Sequence, residues 1–134
     1  MKIIQVCPRY FPDIGGVETH VREIAERLVK KGHKVEVVCT DPSGVHPKND
    51  FINGVSITRF RSFAPHDAYF FSPKMASYLK TLDAEILHAH GYHAFPALFA
   101  MPAARNKRFI FTPHYHGKGH TSLRTMLLTF YNPF

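Results

Sequence analysis

The chain is poor in cysteine: Cys7 and Cys39 are its two thiols in 134 residues. Two thiols cannot build a disulfide framework, and they point to a reducing, cytoplasmic setting. They stand at the ends of the first two expected strands. If those strands are neighbours the thiols lie close, but small buried hydrophobes is the first reading. No apolar run approaches the roughly 20 residues of a membrane span. Met1-Lys2 leads straight into a strand, so no signal peptide is expected. Repeats and low-complexity tracts are missing too. Acid is missing from the last part of the chain. Every Asp and Glu lies at or before Glu85, whereas Arg105, Lys107, Arg108, Lys118 and Arg124 follow it. The formal net charge is +7. No Lys/Arg block or nucleic-acid motif accompanies that charge. Phosphorylated small molecules or an anionic lipid surface are therefore expected over nucleic acid.

What is present is an alternation of periods. Lys2-Ile3-Ile4-Gln5-Val6-Cys7 reads as a buried parallel strand. Val17, Val21, Ile24, Ala25, Leu28 and Val29 then recur at helical spacing, and Lys30-Lys31-Gly32 ends the helix. Further strands are expected over residues 35–39, 54–60, 86–90 and 108–112, and helices over 73–82, 94–104 and 121–131. The strand at 54–60 alternates, which suggests a place near the sheet edge. Residues 41–53 read as a loop, and so do residues 62–72, which carry Phe63, Tyr69, Phe70 and Phe71. The fold class is α/β: one domain with a doubly wound, mainly parallel sheet and helices on both faces, three layers in all. Ligands in such sheets bind beyond the carboxyl ends of the strands.

Three polar groups fall at those ends. The first is Pro12-Asp13-Ile14-Gly15-Gly16-Val17-Glu18. Strand, Gly-Gly turn and helix start form a phosphate-binding arrangement, because the first helical N–H groups lack internal partners and glycine admits a close ligand. A plain tight turn between strand and helix is the competing reading. The nicotinamide fingerprint is excluded, since the glycines are adjacent and a long loop precedes them. Asp41, after the second strand, would hold a ribose or, as is commoner for Asp there, close a turn.

The other two groups are histidines: His88, His90 and His93, then His114, His116 and His120. His88 and His90, two apart on a strand, point to one face. Three roles are open. Ligand binding ranks first, structural hydrogen bonding second and a zinc site third, because neither acids nor cysteines accompany the clusters. Neutral His donates to sugar hydroxyls, and protonated His neutralises phosphate.

Taken together, P-x-x-G-G-x-E opening a helix, then Asp83-Ala84-Glu85-Ile86-Leu87-His88-Ala89-His90-Gly91, then Thr112-Pro113-His114-Tyr115-His116-Gly117, resemble the amino-terminal domain of group 1 glycosyltransferases. These retaining, metal-independent enzymes of the GT-B fold are also called glycosyltransferase family four. The resemblance spans essentially the whole chain, with the motifs in family order. It implies two Rossmann-like domains, the first binding mainly the acceptor and the second most of the nucleotide-sugar donor. By resemblance, the Gly15-Gly16 backbone faces a donor or acceptor phosphate. His114 contacts the transferred sugar near the reacting centre and is the catalytic candidate. His90 and Gly91 rim the acceptor pocket, and Glu18 organises the turn. With Gly15, Gly16, His90 and Gly91, His116 and Lys118 complete the expected substrate- and phosphate-binding set. The resemblance implies no metal and no cofactor; the nucleotide-sugar is a co-substrate.

The sequence departs from the family pattern in three ways. Many relatives carry an acid after T-x-H where Tyr115-His116-Gly117 stands here, so that acid's role is not carried over. The carboxyl-terminal donor domain with its E-x7-E motif is expected to be absent from these 134 residues. The first domain is also short. Residues 1–134 are thus expected to form one Rossmann-like domain that is inactive alone. A homodimer through the strand at 108–112 or the last helix is expected, as are a sugar, phosphate or lipid-linked acceptor and contact with the inner membrane surface. The alternatives are a non-enzymatic binding domain, including a His-rich metal binder, and half of a sugar-nucleotide epimerase of the same fold.

Overall fold

A computed structural model describes residues 1–92 and 94–114. His93, His116, Lys118, His120 and the helix expected over 121–131 lie outside the described residues. The elements run β1 (Lys2–Val6), α1 (Gly16–Lys30), β2 (Lys34–Thr40), β3 (Asn49–Ile52), β4 (Val55–Phe60), α2 (Pro73–Thr81), β5 (Ile86–His90), α3 (Phe95–Ala103) and β6 (Arg108–Thr112).

The strands form one sheet in the order β3-β4-β2-β1-β5-β6. All neighbours are parallel except β3 and β4. Alternate residues feed two cores. On one face Val21 and Ala25 of α1 pack with Val35, Val37, Cys39 and Ile57. On the other, Met75 and Leu79 of α2 and Ala97 and Ala100 of α3 pack with Ile4, Val6, Leu87 and Ala89. Helices therefore cover both faces, and the α/β, Rossmann-like, three-layer expectation holds. α1 ends as its sequence requires: Arg27 and Lys30 lie in the last turn, and Gly32 follows with φ +88°, which a Cβ would strain. Both thiols are buried and free. Burial pushes the Cys39 thiol up to about 12 and the Cys7 thiol well above its usual value, so both behave as inert small hydrophobes.

At the sheet edge one expectation fails and one holds. Residues 41–53 are not wholly loop, because β3 pairs antiparallel with β4 through Ile52↔Val55. The two residues between are Asn53 and Gly54, with φ 52° and 82°, the conformation an Asn-Gly hairpin turn demands. β4 stands near the edge, as expected, but one strand in from it: β3 takes the edge itself, and β4 is buried at every position but Ser56. At the other end β6 pairs only with β5 among the described residues, and Arg108–Phe111 are exposed.

Candidate functional site

The loops after β1, β5 and β6 meet at the carboxyl edge of the sheet, held by main-chain bonds. Thr40 donates its N–H (2.9 Å) and its hydroxyl (2.6 Å) to the Pro8 carbonyl. Gly91 N–H donates to Thr112 O at 3.1 Å and Tyr92 N–H to Pro113 O at 3.0 Å. Gly91 has φ +90° and its α-carbon faces Pro8, so this position needs glycine for its backbone. From behind, the buried Arg59 guanidinium donates to Phe11 O at 2.8 Å and fastens the loop that leads into the Gly-Gly turn. The rim is thus prebuilt by the fold.

At the helix start, Gly15 is the N-cap and Gly16 the first helical residue. A Cβ on Gly15 would collide with the Glu18 carboxylate, whereas a Cβ on Gly16 would meet nothing within 4 Å. Open space over the first turn is what an anion needs to approach the unpaired N–H groups. Glu18 lies beside that space. It accepts from Arg9 Nε at 3.1 Å, and Arg9 also pairs with Asp67 at 3.0 Å. Glu18 thus ties the start of α1 to the loop after β1 through Arg9. A groove of about 320 Å³ on the flank of α1 carries Asp13, Glu18, Glu23 and Glu26 in its wall. Arg22 shares that wall, and Glu18 borders both the groove and the opening over Gly16. Asp41 accepts from Ser43 Oγ and from His46 N–H, so it closes a turn.

The histidines converge more tightly than their spacing alone implies. His88 and His90 share a face, with ring centroids 4.0 Å apart. It is the α1 face, since the intervening Leu87 and Ala89 enter the opposite core. Gln5 on β1 shares it. His90 Nε2–H donates to Gln5 Oε1 at 2.6 Å. That bond fixes the tautomer and leaves His90 Nδ1 to accept from His114 Nε2–H at 3.1 Å. His88 Nε2 and Thr112 Oγ1 hydrogen-bond at 2.8 Å. Burial, with the neighbouring imidazoles, drops His88 to about 4 and His90 to about 2. Both are neutral at physiological pH, so neither neutralises a phosphate; they donate and accept as neutral rings. His114 itself has φ 50°, a sparsely populated conformation for a residue with a Cβ.

The site thus unites His90, Gly91 and His114 and sets Gly15-Gly16 on the neighbouring helix start. His116 and Lys118 are outside the described residues. Two residues escaped sequence reasoning. His20 lies edge-on to His114, with centroids 4.8 Å apart, and 5.8 Å from His90. Its signal was its place four residues after Gly16, on the same face of the helix. The signal for Gln5 was an amide inside an otherwise apolar strand.

The family profile described as Glycosyltransferase Family 4 matches residues 14–134. An uncharacterised glycosyltransferase of Methanocaldococcus jannaschii is 34% identical over 100 residues, 69% of this chain and 25% of its own length. The GDP-mannose:cellobiosyl-diphosphopolyprenol alpha-mannosyltransferase of Xanthomonas campestris is 29% identical over 71% of this chain and 26% of its own. The phosphatidylinositol N-acetylglucosaminyltransferase gpi3 subunit of Schizosaccharomyces pombe is 29% identical over 78% of this chain and 25% of its own. The chain spans about a quarter of the length of these relatives. Among solved structures, sucrose-phosphate synthase from Thermosynechococcus elongatus shares the fold, with TM-score 0.61 and 16% identity over 87% of this chain and 33% of that one.

Proposed function

The chain belongs to glycosyltransferase family 4, and on that premise we propose that it is the acceptor-binding half of a retaining glycosyltransferase that moves a sugar from a nucleotide-sugar to an acceptor. The observation that carries the reading is the convergence of the Gly16 helix start, His20, His90 and His114 on one carboxyl rim. Retaining transfer develops positive charge on the sugar and negative charge on the leaving diphosphate. Free N–H groups at the start of α1 suit the phosphate, and an imidazole held by His90 suits the sugar. Preorganised groups act here at no reorganisation cost during reaction. Most of the donor site belongs to a second domain, so residues 1–134 alone carry no transfer activity. The reading needs no divalent metal and no cofactor.

A lipid-linked acceptor at the inner membrane surface is the finer form of this proposal. Phe63, Tyr69 and Phe71 stay exposed although Phe70 is buried, and two of the relatives are named for polyprenol- and phosphatidylinositol-linked substrates. No helix among the described residues is long and apolar enough to cross a membrane. Two measurements test the proposal. The purified 134-residue chain is assayed with nucleotide-sugars and lipid-diphosphate acceptors, alone and joined to a family donor domain. Transfer is expected only from the joined protein; turnover by the chain alone refutes the division of labour. Sedimentation with anionic vesicles at low salt is expected to retain the chain. A Phe63→Ser, Phe71→Ser chain that still sediments equally removes the aromatic loop from the proposal.

A further inference from the structure

We propose that His20, His90 and His114 together bind a zinc ion at the rim of the site. One ring nitrogen from each of the three lies within 4.8 Å of the other two. In a tetrahedral site with bonds of about 2.0–2.1 Å, ligand nitrogens stand roughly 3.3–3.4 Å apart. His90 Nδ1 and His114 Nε2, at 3.1 Å, already stand at that separation. The widest nitrogen pair of the trio must close by at most about 1.5 Å to reach it. His20 is exposed at the start of the second turn of α1, where a change of side-chain rotamer supplies that movement.

His90 has the support of a metal ligand. A ligating imidazole normally donates its other N–H to a carbonyl or carboxylate, which sets tautomer and ring orientation. His90 does this toward Gln5 Oε1 at 2.6 Å, with both residues buried. Three imidazoles without a carboxylate or thiolate select zinc and the later first-row ions over magnesium or calcium. Three protein ligands leave the fourth position open to solvent. On binding, the zinc replaces the hydrogen bond between His90 and His114. The Nε2 proton of His114 passes to its Nδ1 through solvent, so that step neither consumes nor releases a proton.

This inference stands apart from sugar transfer, and its readout is binding to the chain itself. A consequence links the two: an ion on His114 withdraws that ring from the sugar, so zinc should oppose transfer. The test is calorimetric titration of EDTA-stripped 134-residue chain with zinc chloride, paired with cobalt(II) absorption, which is intense only for four-coordinate ions. One equivalent binding in the micromolar range is expected. His20→Ala sits on the surface and keeps the fold; it should weaken binding about tenfold or more. Gln5→Leu should weaken it by roughly 10–100-fold through the lost anchor. His33→Ala, at the far end of α1, should change nothing. Absence of saturable zinc binding overturns the proposal. So does binding that His20→Ala and His114→Ala leave unchanged, which would assign the ion to other histidines.

Discussion

Arg59 offers the sharpest test of how the rim is held. Arg59 is 4% exposed, and its guanidinium donates to Pro47 O at 3.0 Å, Phe11 O at 2.8 Å and Asp50 Oδ2 at 3.1 Å. One side chain thus ties β4, the segment before β3 and the loop leading into Gly15. Arg59→Met keeps the apolar stem and removes all three bonds. Asp50 is partly exposed and regains water, so only the two carbonyls count fully. A hydrogen bond from a charged donor contributes about 1.5–3 kcal/mol, and water reaching the vacated space returns part of that. The expected loss is about 3 kcal/mol, or a melting temperature lower by about 10 °C. Urea and thermal unfolding followed by circular dichroism measure it. Asp50→Asn is the control, with a much smaller expected loss because the carboxylate is solvated. The Arg59 hydrogen bond holds the Asp50 carboxyl below its usual range. Its contribution is therefore complete above the usual carboxylate pKa and disappears as pH falls through the lower folded value. An Arg59→Met chain within about 1 kcal/mol of the parent would refute the reasoning, since no buried tether would then be acting.

Three further outcomes follow from the rim. Gly16→Val should leave melting nearly unchanged, because the new side chain enters open space, yet abolish phosphate or nucleotide-sugar binding by titration; unaltered binding removes the anion site. His114→Ala in the two-domain enzyme should lower turnover by about 3 kcal/mol in barrier, on the order of a hundredfold, with little change in melting temperature; wild-type turnover would make His114 structural. The chain should dimerise through β6, whose edge groups are open among the described residues and whose Phe109, Ile110 and Phe111 are exposed; a strict monomer by light scattering at high concentration refutes that edge as an interface.

The parallel strands were legible because burial on both faces leaves long apolar, β-branched runs, as in Ile3-Ile4 and Val37-Val38. β3 was missed because Asn49-Asp50-Phe51-Ile52 shows no such run, being an edge strand with half its groups in water. Its one clear signal was the Asn53-Gly54 turn that follows. At the site, His90 and His114 were visible singly as polar residues at strand ends. Their meeting depends on β5 and β6 being neighbours in the register His90↔Thr112, which no local pattern states. His20 and Gln5 were invisible for a related reason. Which residues α1 and β1 turn toward the histidines follows from packing across the sheet. The Glu18 carboxylate beside Gly15 is likewise a tertiary fact: the spacing marks the turn, but not what fills it.

The division of labour across β5 argues for function over architecture. Leu87 and Ala89 enter the apolar core under α2 and α3, as an inner parallel strand should. His88 and His90 enter the opposite face, where β2 places Val35, Val37 and Cys39 elsewhere along the sheet. Two buried imidazoles there need partners, and the fold supplies Thr112 and Gln5 for them. Such pairs add little net stability, since replacing both partners by apolar groups of similar shape is nearly neutral. The backbone of His114 adds to the cost, held at φ 50° without glycine. A row of polar pairs and one unfavourable backbone angle meet where ligands bind in this class of sheet. A sequence under selection for stability alone would fill that face with Val and Leu. The polar row in their place is therefore the signature of a site that holds His114 in one orientation.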